Sequence, residues 1–425
     1  MPPPTAAEPT GKVTAEEARA TAAPSMTAVP SGWRGLWDVR RARLWLVACV
    51  AAAWLPALGA PLQRWWDFSA FYAGGHFAFT PELTRLAPIL QFQAANDLPP
   101  TPWVYPAWLA IFYVPFAALP YDLAAALHFA IQLGVLLVAA LLGARLAGIP
   151  RSWALLGTLA WAPAAAGVIS GQNTAVALLL VVLAAMALEA GRPWLAGLWT
   201  GILAYKPQLA APVALTLAWR GALRAVLVIV AALGVQYLLG VLATGGDWSW
   251  PAAWLDSLRA YNAADFSENG WQAISLPAVL GRITLGGGEP GSLTGPAVVG
   301  YVVGALIVLR CLPALRSWSP ARAIALGCAA GLIVSPHAWV YDAALLLPAV
   351  AVFALDARDR GWPWQDRWLL AAAYALAVTW PLGGPLDKAG VALVLVVVLA
   401  PFALLGWWPF RWTRAGAAQA APAEA

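Results

Sequence analysis

The sequence is poor in charge, thiols and imidazoles. Of its 425 residues, 11% are Asp, Glu, Lys or Arg, against roughly 25% in a soluble domain. There are three cysteines, Cys49, Cys311 and Cys328, each inside an apolar stretch. That excludes a disulfide scaffold and reads as small packing residues. The three histidines, His76, His128 and His337, are far apart, and no HxxxH or similar pair occurs, so no metal motif is present. Without a GxGxxG stretch or a P-loop, no nucleotide cofactor is expected either.

Apolar surface, by contrast, is abundant. Apolar residues make up 61% of the chain, and the mean hydropathy is +0.70. This excludes a soluble globule and a disordered chain. Long runs such as 391-VALVLVVVLAPFALLGWW-408 are of the length at which about 20 residues cross the hydrocarbon core as a helix. A barrel would show short alternating segments instead. The sequence therefore predicts an all-α polytopic membrane protein.

Spans are expected at 44–60, 122–146, 152–169, 173–190, 222–243, 294–313, 319–335, 339–355, 366–382 and 388–408, about ten in all. Residues 1–31, rich in Pro, Ala, Thr and Glu, read as a disordered tail, 32–410 as the membrane domain and 411–425 as a second tail. The arginines before 44–60 favour a retained signal-anchor helix over a cleaved signal peptide.

Two segments are ambiguous. Residues 103–119 are apolar but contain Pro106 and Pro115, and 193–218 carry Lys206-Pro207 at their centre. The positive-inside rule resolves both. If 103–119 lies along the membrane surface and 193–218 is a two-armed hairpin with Lys206 at its tip, 19 of the 25 basic residues fall on the cytoplasmic side and 6 outside. Both termini are then cytoplasmic, and arms of about 18 Å would reach only part-way across. The net charge of +5 belongs to these anchoring loops, and no nucleic-acid partner is expected. Three GxxxG patterns, 197–201, 300–304 and 327–331, predict close helix contacts within the bundle. No internal repeat is present.

With this topology the unusual polar residues collect outside, in the loops 61–121 and 244–293, in 170-SGQN-173, at the tip 205-YKPQ-208 and in 335-SPHAWVYD-342. Asp67 stands among Trp65, Trp66, Phe68, Phe71 and Tyr72. It is either a solvated loop aspartate or helix N-cap, or a general base facing the outer water. Lys206 is either a snorkelling lysine or an ammonium that holds a phosphate, since a lysine at mid-segment costs about 2.5–3.5 kcal/mol on insertion scales and needs a partner. His337 is either satisfied by Asp342 or a backbone carbonyl, or it meets a phosphate or hydroxyl. Gln172 and Asn173 would cap a helix or bind sugar hydroxyls. His128 reads as packing and His76 as undecided. In 250-WPAAWLDSLRAYN-262 the residues Trp250, Trp254, Leu258 and Tyr261 share one helical face, which predicts an interfacial helix.

The segments WWDFSAFYAGG (65–75), VYPAWLAIFYVPFAALP (104–120), GQNTAVALLL (171–180), AGLWTGILAYKPQLAAPVAL (196–215), QAISLPAVLGRI (272–283) and SPHAWVYDAALLLP (335–348) together resemble glycosyltransferase family 87, the polyprenyl-phosphate-mannose-dependent mannosyltransferase-like proteins of the GT-C superfamily. The chain departs from the family pattern at Tyr105-Pro106-Ala107, where YPP is usual, and at Ala73-Gly74-Gly75, where a second aromatic is usual. The resemblance implies a GT-C helical bundle with outer juxtamembrane helices and an active site on the non-cytoplasmic face; from the general look of the chain, the plasma (bacterial inner) membrane is the expected location. It implies a polyprenyl-phosphate sugar donor, a hexose such as mannose, and a glycolipid, glycan or protein acceptor. By the same likeness Asp67 is the base, and Lys206 and His337 face the lipid phosphate or the reacting centre. Gln172, Asn173, Tyr72 and Tyr105 are further candidates for donor contacts. One carboxylate acting alone would invert the anomeric centre. The rival readings are a secondary transporter or flippase, compatible with a broken helix and a buried lysine, and a non-enzymatic scaffold.

Overall fold

The computed structural model describes residues 39–59, 66–285, 295–378 and 389–406. The two expected tails and parts of both long outer loops lie outside these residues. Every regular element described is helical. The α-helices are α1 (Val39–Trp54), α2 (Phe68–His76), α3 (Leu86–Ala95), α4 (Val114–Ala117), α5 (Tyr121–Ala147), α6 (Arg151–Ala160), α7 (Ala162–Ser170), α8 (Thr174–Glu189) and α9 (Pro193–Ile202). There follow α10 (Pro207–Trp219), α11 (Leu223–Ala243), α12 (Trp250–Asn269), α13 (Leu276–Leu285), α14 (Gly295–Ser317), α15 (Pro320–Val334), α16 (Leu347–Asp359), α17 (Trp364–Val378) and α18 (Ala389–Leu405).

Five helical stretches are long and apolar enough to cross a membrane: Val39–Leu58, α5, α11, α14 and Val340–Asp359. α6 and α7 together make a sixth, bent by 65° where Trp161 takes an extended ψ of 96° and Pro163 enters at the start of α7. The other expected spans are shorter helices: 16 residues in α8, 15 in α15 and α17, and 17 in α18. At the helical rise 15 residues reach about 23 Å, against a core of about 30 Å. The expectation of about ten full spans is thus met by six at most among the described residues. Hydropathy windows count apolar length, and they run through the turns that interrupt it.

Burial separates two kinds of helix. α15 is almost wholly inside, with eleven of its residues buried. α11 and α14 leave large apolar side chains uncovered, among them Leu227 (61% exposed), Val230 (62%) and Leu306 (60%). In water such faces would be costly; in lipid they are the favourable surface. The chain is a multi-pass membrane protein.

Basic residues gather at one end of the bundle. The Glu189 carboxylate at the end of α8 accepts the Ala321 N–H at the start of α15 (2.9 Å). Arg322 pairs with Asp356 at 2.6 Å and Arg360 with Asp366 at 2.7 Å. Arg220, closing α10, donates to the carbonyls of Leu315 and Trp318. The segment 193–219 therefore begins four residues beyond Glu189 and ends just before Arg220, both beside the α14–α15 turn. Its middle, Lys206, lies about 20 Å away along α10.

All three GxxxG patterns are intramolecular contacts. A Cβ at Gly197 would strike the Ala225 backbone, one at Gly300 would lie 2.5 Å from Pro277 Cα, and one at Gly331 would strike the Pro212 ring. The segment 103–119 packs against α2 and α11. It forms a short 3-10 helix, Ala107–Tyr113, with Trp108, Leu109, Ala110 and Tyr113 buried, followed by α4. Gly74 and Gly75 explain the seating of α2 on this segment, since side chains there would strike Trp103 and the Tyr113 carbonyl.

Candidate active site

A cavity of about 1180 Å³ opens between these elements. Its polar end is lined by Asp67, Tyr105, Gln172, Lys206, His337 and Asp342, drawn from five stretches of chain that are far apart in sequence. The rest is an apolar arm between α10, α14 and α15. Leu215 and Trp219, Val308 and Leu312, and Ala330 and Val334 line it at helical spacing. The indole of Trp219 donates to the Leu312 carbonyl (2.9 Å) and ties α10 to α14 at the far end.

Asp67 immediately precedes α2 and is held by its own backbone, which donates to the Ser170 carbonyl at 2.9 Å. That approach depends on Gly171. Its φ is +86°, and a Cβ there would lie 2.7 Å from Phe68 Cβ, so a side chain would clash in a conformation already disfavoured. Asp67 occupies the N-cap position, yet its side chain makes no capping bond and its backbone is already helical. The carboxylate is half-buried and faces the cavity, so it is not spent on capping.

Lys206 stands at the break between a 3-10 turn, Leu203–Tyr205, and α10, whose first residue is Pro207. Proline has no N–H to lose at a helix start. The ammonium is buried and 3.1 Å from Asp342 Oδ1, with side chains 4% and 1% exposed. It also donates to Thr174 Oγ1 (3.3 Å) and sits 4.7 Å from the Tyr341 ring centroid. An ammonium has three N–H groups. Two are used in these bonds, and Lys206 lines the cavity into which a third can be given.

Asp342, one of the partners the sequence offers for His337, is bonded elsewhere through both oxygens. Asp342 gives Oδ1 to Lys206 and accepts the Trp339 backbone N–H with Oδ2 at 3.1 Å. The Trp339 indole donates to Nε2 of His337. The 335–342 turn is held from the other side by 272–275: Ile274 N–H donates to the Ala338 carbonyl (3.0 Å), and Ala273 bridges Trp339.

The structure does not bring every sequence candidate to the cavity. Gln172 lines it and accepts the Tyr105 hydroxyl at 2.6 Å. Burial, then the Asp67 charge, push the Tyr105 phenol well above its ordinary range; Tyr113 and Asp342 add to this and the Gln172 bond opposes it. Tyr105 is thus a neutral donor. Asn173 is buried behind the wall, where its carbonyl accepts the Tyr205 hydroxyl at 2.8 Å. Tyr72 turns into an aromatic cluster with Phe92 and Tyr121 and donates to the Leu119 carbonyl. His76 stacks on Phe92, and His128 packs on Phe68.

Sequence reasoning missed two parts. The first is the Lys206–Asp342 pair: the sequence offers Asp342 only as one possible partner of His337, and a lysine 136 positions away gives no local signal. The second is the role of α12. Its Trp254, Leu258 and Tyr261 do share a face, but that face covers the cavity, and the Trp254 indole donates to the Val104 carbonyl at 3.2 Å. Asn269, Trp271 and Gln272 follow from its end into the cavity wall. An aromatic stripe has the same spacing whether its partner is lipid or protein.

Comparison with known proteins adds the following. The model of glycosyltransferase family 87 matches residues 103–336, more than half of the chain. A polyprenol-phosphate-mannose-dependent alpha-(1-2)-phosphatidylinositol pentamannoside mannosyltransferase of Mycobacterium tuberculosis (strain CDC 1551 / Oshkosh) is 26% identical over 330 residues, covering 72% of this chain and 73% of its own. A polyprenol-phosphate-mannose-dependent alpha-(1-2)-phosphatidylinositol mannoside mannosyltransferase of the same species (strain ATCC 25618 / H37Rv) is 27% identical over 365 residues, 76% and 77% of the two chains. No solved structure matches.

Proposed function

The chain belongs to glycosyltransferase family 87, and from that premise we propose that it moves a hexose, mannose, from a polyprenyl-phosphate donor to a hydroxyl of a glycolipid on the non-cytoplasmic side. The observation that carries this reading is the shape of the cavity. One end holds two carboxylates, an ammonium and an imidazole, and the other is an apolar arm between α10, α14 and α15. Both relatives are named for a polyprenol-phosphate-mannose donor and a phosphatidylinositol mannoside acceptor. Among glycosyltransferases the transporter and scaffold readings lose their ground.

In this reading the donor phosphate sits at Lys206 and its prenyl chain runs along α10 toward Trp219. Lys206 gives the phosphate its remaining N–H. Asp342 holds the ammonium in place through the 3.1 Å ion pair. Asp67 accepts the proton of the acceptor hydroxyl. The acceptor oxygen bonds to the anomeric carbon as the bond from that carbon to the phosphate oxygen breaks. The released prenyl phosphate carries the added negative charge, which Lys206 and His337 meet with N–H donors already in place. A phosphate needs no protonation to leave, so one base suffices, and a single displacement inverts the anomeric centre. Gln172 and Tyr105 are fixed beside Asp67 as neutral sugar contacts.

The basic end of the bundle then faces the cytoplasm, in keeping with the positive-inside rule, and the polar end of the cavity faces outward. The test uses the purified protein in nanodiscs with polyprenyl-phosphate-[14C]mannose and phosphatidylinositol mannosides. Transfer to the glycolipid, abolished by Asp67→Asn, supports the reading. Transfer that survives this substitution removes Asp67 as base. No transfer with these lipids, while a lipid extract accepts label, changes the acceptor.

A further inference from the structure

The indole of a tryptophan donates a hydrogen bond and has no acceptor to offer. Trp339 Nε1–H points at Nε2 of His337, so that nitrogen must present its lone pair. An imidazolium has an N–H at both positions and cannot accept there. The bond is therefore compatible with one form of the ring only: neutral, with its proton on Nδ1. The Trp339 side is shielded from water, at 6% exposure, whereas His337 is half-exposed and lines the cavity.

Trp339 is itself fixed from three directions. Its backbone N–H goes to Asp342 Oδ2 (3.1 Å), its backbone bridges Ala273, and its indole stands at 85° to the His337 ring with centroids 5.0 Å apart. The Asp342 carboxylate that takes the backbone N–H gives its other oxygen to Lys206 (3.1 Å). One buried carboxylate thus joins the turn that carries the imidazole to the break that carries the ammonium.

We infer that Trp339 is a positioning residue that locks His337 as the neutral Nδ1–H tautomer, and that Asp342 sets this donor in register with Lys206. Its catalytic consequence rests on the function proposed above. The phosphate end then offers one balanced ammonium and one neutral N–H rather than two cations. A neutral imidazole donates a hydrogen bond to the departing phosphate without transferring the proton, as that leaving group requires. It also adds no positive charge that would have to be released with the product.

The lock is tested on the full chain in nanodiscs, labelled with 15N-histidine. Three histidines are present, and the His337→Asn variant assigns the His337 signals by subtraction. In the wild type at neutral pH, His337 should show a protonated Nδ1 and an unprotonated Nε2. In Trp339→Phe that signature should give way to a mixture of tautomers, and kcat should fall roughly tenfold to a hundredfold with KM for the donor changed much less. A wild-type His337 that carries its proton on Nε2, or on both nitrogens, overturns the lock whether or not any variant folds. A folded Trp339→Phe with unchanged kcat overturns the positioning role. If the wild type shows the signature but transfers no mannose from the lipid donor, the proposed function fails and the tautomer assignment stands, so the two failures are distinguishable.

Discussion

The Lys206–Asp342 pair allows stability and catalysis to be separated. Both side chains are within 4% of full burial, and the bond is 3.1 Å. Removing one charge leaves the other buried and uncompensated, at a cost of about 3–5 kcal/mol, whereas removing both is close to neutral. We expect Lys206→Met and Asp342→Asn each to lower the unfolding temperature by roughly 3–6 °C. Asparagine keeps an acceptor for the Trp339 N–H, so the second substitution isolates the charge. If the effects were independent, the double variant would lose about 6–10 kcal/mol; as a coupled pair it should return to near the wild-type temperature. The assay is available in the native chain, since Cys49, Cys311 and Cys328 are all buried and a thiol-reactive fluorophore will report their exposure on heating. The double variant should nevertheless be inactive, because the phosphate has lost its ammonium. Additive losses in the double variant would refute the pairing, and near-wild-type turnover there would refute the role given to Lys206.

Asp67→Asn should cost about 10²–10⁴ in turnover with a far smaller effect on stability, because asparagine keeps the size of the side chain and no capping bond with α2 is lost; a large thermal shift would mean a structural role. Tyr105→Phe removes the 2.6 Å bond to Gln172 and should destabilise the protein by about 1–3 kcal/mol. Because burial holds this phenol above its ordinary value of 10.0, its contribution is full below that pH and is lost as the pH climbs through the raised value. The variant should therefore show a shallower alkaline loss of stability in a pH-dependent melt. Gly331→Leu drives a side chain into Pro212 and should cost about 1–3 kcal/mol or more. Gly134→Ala meets no atom within 4 Å and should stabilise α5 by up to about 1 kcal/mol; equal melting temperatures would refute the packing. A membrane-impermeant maleimide should label Gln91→Cys on intact cells and Arg192→Cys only after permeabilisation; the reverse pattern would invert the proposed orientation.

Composition alone determined the solvent of this protein. With 61% apolar residues and few charges, the chain can only lower its free energy by giving apolar helices to lipid, and that conclusion needs no geometry. The break at Lys206-Pro207 was legible for a similar reason: proline cannot continue a hydrogen-bonded helix, and a lysine cannot stay in hydrocarbon without a partner. The intramolecular use of the GxxxG pairs and the packing role of His128 followed from local chemistry as well.

Which partner Lys206 takes was decided by tertiary structure. Asp342 is 136 residues away, and no local periodicity reports a contact at that range. The same limit hid the inward face of α12, and it left Asn173 and Tyr72 among the candidates although folding turns both away from the cavity. It also separates apolar windows from full spans, since a window does not register where a helix such as α8 or α15 ends among the described residues. The sequence lists side chains that need a partner; the fold selects which ones share a space, because direction and distance exist only after the chain has closed on itself.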